Sequence, residues 1–128
     1  MMRKRKSLSP SEADEQKLLF GWIEYAEVIH PELQLCFHIV NEGRRTYRMG
    51  HELRKQGMKS GVPDICLPVP RGGYGALYIE MKRPHGGRVS EAQKWWIEKL
   101  NANGNLAVVC NGFDEAKDTI LRYIQNTK

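Results

Sequence analysis

Gly61-Val62-Pro63-Asp64-Ile65-Cys66-Leu67-Pro68-Val69-Pro70 and, beyond a glycine-rich turn, Ala76-Leu77-Tyr78-Ile79-Glu80-Met81-Lys82 decide how this chain is read. Ile65 to Val69 is a short apolar run between prolines, which predicts a strand ending at Pro68 or Pro70. Arg71-Gly72-Gly73-Tyr74-Gly75 predicts a turn, and Ala76 to Lys82 the next strand. Side chains alternate along it: Leu77, Ile79 and Met81 leave one face, Tyr78, Glu80 and Lys82 the other. The two strands form a hairpin that can set Asp64 beside Glu80.

Glu80 and Lys82 leave the same face about 6–7 Å apart, and alone they would read as an exposed ion pair contributing little. Asp64 changes the chemistry. Two carboxylates brought together repel unless a proton or a cation sits between them. Hard oxygen ligands without His or Cys select Mg²⁺ or Mn²⁺. A nearby ammonium, Lys82, can hold or polarise an attacking water while the metal stabilises charge on a phosphate. Phosphodiester hydrolysis fits this set.

The flanking segments frame the hairpin. Ser9-Pro10-Ser11-Glu12 reads as a capping box with Ser9 as cap, Pro10 first and Glu12 third in the helix. Leu19, Trp22, Ile23, Ala26 and Ile29 form a helical stripe that ends before Pro31. Leu35 to Val40 predicts a strand, Asn41-Glu42-Gly43 its turn, and Tyr47 to Gln56 a short helix. Ser90-Glu91-Ala92-Gln93 is a second capping box; its helix runs to about Asn103 and stops at Gly104. Leu106 to Cys110 predicts a buried strand, and Phe113, Ala116, Ile120 and Ile124 a final helix. The order is α-β-(α)-β-β-α-β-α: one small α/β domain with a mixed sheet over residues 9–128, behind a disordered basic arm at 1–8.

With 128 residues, 41% hydrophobic and 27% charged, the chain has the size and balance of one soluble domain. No apolar run approaches the ~20 residues of a membrane span, and no apolar region follows the basic Met1 to Lys6 as in a secretory signal. Secreted, collagenous and transmembrane classes are excluded, and an intracellular protein is expected. Cys36, Cys66 and Cys110 are far apart, without a CxxC, and read as reduced buried thiols. His30, His38, His51 and His85 show no metal-binding spacing.

Net charge is +5, but Arg3, Lys4, Arg5 and Lys6 hold four of the 20 basic residues; the other 16 face 15 acidic ones. In this nearly neutral body, Arg44, Arg45, Arg48, Arg54, Lys55 and Lys59 are opposed within their stretch only by Glu52. Lys82, Arg83, His85 and Arg88 form a second cluster. Both would place cations on phosphates flanking a cut site. No base-reading helix, zinc finger or RNP strand is present, so shape rather than sequence is what such a protein would read.

Pro63-Asp64 … Glu80-Met81-Lys82 resembles the PD-(D/E)xK nuclease motif, and the helix and hairpin around it match that superfamily's αβββαβ, restriction-endonuclease-like core. Gly61-Val62-Pro63-Asp64, Glu80-Met81-Lys82, Ser90, Gln93 and the Gly104 turn resemble its VRR-NUC (virus-type replication-repair nuclease) branch over nearly all of residues 12–110. The resemblance implies a Mg²⁺- or Mn²⁺-dependent deoxyribonuclease. Asp64 and Glu80 would ligate the metal with the Met81 backbone carbonyl, Lys82 would serve the water, and Gln93 would lie in the active site. It also implies an acid of the first helix at the metal. Glu12 and Glu15 share the core-facing stripe; Glu15 is favoured because the capping box already employs Glu12. Stand-alone members, typically phage-encoded, are similar to Holliday-junction resolvases acting as homodimers, which implies branched DNA as partner. The alternatives are a flap or nicking endonuclease, an exonuclease of the same fold, or a non-catalytic DNA-binding module. A nucleotide cofactor is not expected: the Arg71–Gly75 loop lacks the Lys-Ser/Thr of a P-loop and precedes a strand.

Overall fold

The computed structural model describes residues 10–40 and 47–126. Its centre is the expected hairpin. β2 (Ile65–Leu67) runs antiparallel to β3 (Leu77–Lys82), with Ile65 opposite Ile79, Cys66 opposite Tyr78 and Leu67 opposite Leu77. β2 ends at Leu67 because Pro68 has no N–H to give the ladder. β3 then pairs parallel with β4 (Leu106–Asn111), and a parallel pair needs a crossover. α3 (Glu91–Ala102) supplies it. With the two-residue β1 (Phe37–His38) on the far side of β2, the sheet order is β1-β2-β3-β4.

The alternation along β3 sorts the layers. Ile65, Leu67, Leu77, Ile79, Met81 and Cys110 form one core cluster with Leu19, Ile23 and Ala26 of α1 (Glu12–Ala26) and Ala116, Ile120 and Ile124 of α4 (Phe113–Gln125). Glu80 and Lys82 leave the other face, towards α3. There the Asn101 amide donates to Ala107 O at 3.0 Å and accepts from Ala107 N at 2.9 Å, which clamps α3 to β4.

Four details depart from expectation. The α1 cap is Ser11, and the acid of its box is Asp14: Ser11 Oγ accepts from Asp14 N at 3.1 Å, and Asp14 Oδ2 accepts from Ser11 N at 3.2 Å. Both spacings satisfy the motif; the second leaves Pro10 outside the helix and frees Glu12 from a capping role. Ile29 is 74% exposed, because the helix ends at Ala26. The strand expected over Leu35 to Val40 shrinks to Phe37–His38, since Pro31–Leu35 winds into a 3₁₀ helix anchored by buried Leu33. The strand expected from Ala76 begins at Leu77. α2 (Tyr47–Lys55) forms where a short helix is expected.

The arm at 1–8, the Asn41-Glu42-Gly43 turn, Arg44 and Arg45 lie outside the described residues. The three cysteines are free. Burial pushes the Cys36 thiol up to about 12 and raises those of Cys66 and Cys110, which keeps all three protonated. Among the described residues, no helix is long and apolar enough to cross a membrane.

Candidate active site

The site grows from the end of the β2–β3 ladder. One step beyond the Ile65–Ile79 pair, Asp64 stands opposite Glu80, on the face that carries Lys82. β2 has stopped, so Met81 N–H has no strand neighbour and donates to Asp64 Oδ2 at 2.8 Å. Ala76 O and Lys82 O accept from Leu106 N and Gly112 N on the β4 side, at 2.9 and 2.8 Å. The alternate residues therefore turn their backbone groups towards β2, and the Met81 carbonyl leaves β3 at the same open edge as its N–H. The backbone of Asp64 is fixed in turn from β1: Ile39 N donates to Asp64 O at 2.6 Å, and His38 Nδ1 lies 2.9 Å from it.

Glu80 is 2% exposed. Its Oε2 accepts from Gln93 Nε2 at 3.2 Å and lies 3.6 Å from Lys82 Nζ. Its Oε1 is buried and, among the described residues, has no hydrogen-bond partner. Burial pushes the Glu80 carboxyl up to about 8, helped by the neighbouring Asp64 carboxylate, which favours the protonated form, and opposed by Lys82. Lys82 is 6% exposed, and its Nζ lies 3.6 Å from Glu12 Oε1 as well as from Glu80. The loop after β3 covers the lysine stem closely: a Cβ on Gly87 would fall 2.8 Å from Lys82 Cβ.

Gln93 serves two ends at once. Its Oε1 accepts from Ser90 N at 2.8 Å, completing the α3 capping box, while its Nε2 holds Glu80. The loop into Asp64 presses on the same turn of α3. Gly61 has φ +85°, and a Cβ there would meet the Ala92 backbone at 2.7 Å. Trp96 Nε1 donates to Ser60 O at 2.9 Å and ties the loop down. Glu12, Ser60, Gly61, Asp64, Glu80, Ser90, Ala92 and Gln93 thus line a cleft of about 240 Å³.

Asp64, Glu80, Lys82, Gln93 and the Met81 backbone are brought together. Glu15 is not. It is 6% exposed, and its Oε1 accepts from Phe113 N at 3.1 Å, across the N-terminus of α4. The acid of α1 that faces the cleft is Glu12, which the expected capping register had set aside. Arg83 and Arg88 are exposed and line an adjoining cavity of about 390 Å³ with Ser11, Glu12, Gly86 and Gly87. Arg48, Arg54, Lys55 and Lys59 are exposed on and after α2 and line neither cavity. Gly61 stands in the quoted motif without a role and Gly87 in a loop, since a glycine needed for close approach looks like any loop glycine.

Among the described residues, no three His, Cys, Asp or Glu side chains gather as a ready-made metal cage. The donors nevertheless fit a hard divalent cation. Asp64, Glu80 and the Met81 carbonyl are all oxygens, and the unpartnered Glu80 Oε1 needs either a proton or a cation.

No curated protein matches the chain. A solved structure described as a VRR_NUC domain protein is similar, with a TM-score of 0.81 and 26% sequence identity over 94% of each chain. The family model of the VRR-NUC domain matches residues 14–114, and the chain therefore belongs to the VRR-NUC family, a nuclease family of PD-(D/E)xK type.

Proposed function

We propose that the protein is a Mg²⁺- or Mn²⁺-dependent DNA endonuclease that selects branched DNA, a four-way junction above all, and works as a homodimer. The observation that carries the chemistry is Glu80: buried, beside Asp64 and Lys82, with one oxygen left unpartnered. A protein with no use for that arrangement would lower its energy by replacing it. Asp64, Glu80 and the Met81 carbonyl would hold the divalent ion, which when bound lowers the pKa of a water and neutralises charge at the scissile phosphate.

The chain's own groups do the rest. The Gln93 amide fixes the Glu80 carboxylate in one orientation. Lys82 donates to the attacking water and draws the phosphate into a cleft that its carboxylates would otherwise make repellent. Glu12, 3.6 Å from Lys82 Nζ, holds that ammonium in place and takes the role of first-helix acid that Glu15 is turned away from. Arg83 and Arg88 would receive the neighbouring phosphate, and Arg48, Arg54, Lys55 and Lys59 phosphates farther out; Arg44 and Arg45 would add phosphate contacts of their own. Paired cuts across a junction need two such sites related by a two-fold axis, which is the reason to propose a homodimer.

Labelled four-way junction and matching linear duplex, each incubated with Mg²⁺ or EDTA, test the reading. Paired Mg²⁺-dependent nicks confined to the junction are expected. Equal cutting of the duplex would remove junction selectivity and leave a flap, nicking or end-directed nuclease; no cutting with Mg²⁺ or Mn²⁺ would remove the enzyme.

A further inference from the structure

Trp95 is 53% exposed on α3, although an indole is costly to leave in water. It sits on the same helical ridge as Ala92, one turn back, which lines the catalytic cleft. Its ring is held rather than loose. Trp96 meets it edge to face, with centroids 5.6 Å apart and ring planes at 82°, and Trp96 is itself tied to Ser60 O at the cleft wall. The polar neighbours of Trp95 balance in charge: Glu91 and Lys94 form an ion pair at 3.4 Å, and Glu98 and Lys99 follow on the next turn. This side of the cleft offers a flat apolar face without excess positive charge. The adjoining cavity, which shares Glu12 with the cleft, offers the cations Arg83 and Arg88.

We infer that Trp95 is a stacking platform for an unpaired nucleobase of the DNA next to the scissile phosphate. The inference rests on the nuclease reading and sharpens it. A strand crossing the cleft would present phosphates to the arginine side and an unstacked base to the indole, an arrangement that a paired, stacked duplex does not supply. A branch point, bulge or gap does. Stacking is indifferent to which base arrives, in keeping with recognition of structure rather than sequence.

The test uses the full chain in EDTA, where binding is read without cleavage. Fluorescence anisotropy measures Kd for three labelled duplexes: fully paired, with one unpaired nucleotide, and with an abasic residue at that unpaired position. The wild type is expected to prefer the unpaired base to its abasic counterpart by at least about fivefold. Trp95→Ala should bring the two to equal affinity without changing affinity for the paired duplex, and Trp95→Phe should retain most of the preference. No wild-type preference, a preference that survives in Trp95→Ala, or an equal loss on all three DNAs would overturn the inference. An equal loss accompanied by a change of oligomeric state would assign the indole to contact with a second copy instead. Failure of the nuclease reading looks different: the wild type would neither bind these DNAs nor cut a labelled four-way junction or linear duplex in Mg²⁺ or Mn²⁺.

Discussion

At the Leu77 end of β3, polar groups that go under cover find partners. Tyr123 Oη donates to Val69 O at 2.6 Å, and the Arg71 guanidinium reaches Ile124 O, Pro70 O and Glu32 Oε2 at 3.2, 2.8 and 3.0 Å. At the Lys82 end of the same 6-residue strand, Glu80 and Lys82 are buried, a second carboxylate stands opposite, and Glu80 Oε1 has no partner among the described residues. One sheet thus carries an end built for stability and an end that tolerates an electrostatic cost. Such a cost persists in a marginally stable domain only where something outside the fold offsets it. A divalent ion and a phosphate diester are the partners whose chemistry fits.

Breaking the contrast at its costly end should have the largest effect. Asp64→Ala, Glu80→Ala and Lys82→Ala should each lower Mg²⁺-dependent cleavage by about 10³-fold or more, with DNA affinity within a few fold of wild type. Gel-based cleavage and anisotropy in EDTA read the two separately. Glu12 and Glu15 sharpen the contrast next. Glu12→Ala should reduce cleavage by roughly tenfold or more at nearly unchanged thermal stability, because Lys82 loses its second carboxylate. Glu15→Ala should instead destabilise by about 1–3 kcal/mol, leaving Phe113 N–H without its acceptor, and Glu15→Gln should largely restore it. A cleavage defect in Glu15→Gln with normal melting would return Glu15 to the metal site.

The raised Glu80 carboxyl makes the costly end sensitive to pH. Between the ordinary value of 4.5 and about 8, the metal-free fold keeps a proton that the unfolded chain releases. Its contribution therefore lowers stability as pH rises across that window, by at most about 1.4 kcal/mol per pH unit, and levels off above it. Melting in EDTA from pH 5 to 9 should show this fall relative to Glu80→Gln, and Mg²⁺ should reverse it. The smallest effect belongs to the satisfied end. Tyr123→Phe should cost about 1 kcal/mol of stability and leave cleavage intact below the melting transition.

Much of this was legible because it is periodic or local. Alternation from Leu77 to Lys82 gave the faces of β3, Ser90 to Gln93 gave the start of α3, and the spacing of Asp64, Glu80 and Lys82 proposed the site. What was illegible depends on which of two locally equivalent choices tertiary packing selects. Ser9 with Glu12 and Ser11 with Asp14 are both capping boxes; selecting the second leaves Glu12 free to line the cleft, while Glu15 accepts from Phe113 N. Pro31 to Leu35 could continue into a strand, but buried Leu33 draws it into a 3₁₀ helix. Gly61 and Gly87 matter only through what a Cβ would strike, the Ala92 backbone and the Lys82 stem, neither of which is a sequence neighbour. The Tyr123–Val69 and Arg71–Glu32 bonds join residues 54 and 39 positions apart, beyond the reach of any local pattern.

The central claim is that the buried, half-partnered Glu80 is the reason for the site. Cleavage of a labelled four-way junction by wild type and Glu80→Ala, side by side in Mg²⁺ and in EDTA, tests it most directly. The expected result is paired nicking by the wild type in Mg²⁺ alone and none by Glu80→Ala, although the variant folds and binds the junction. Equal cutting by the variant, or cutting by the wild type in EDTA, would contradict it.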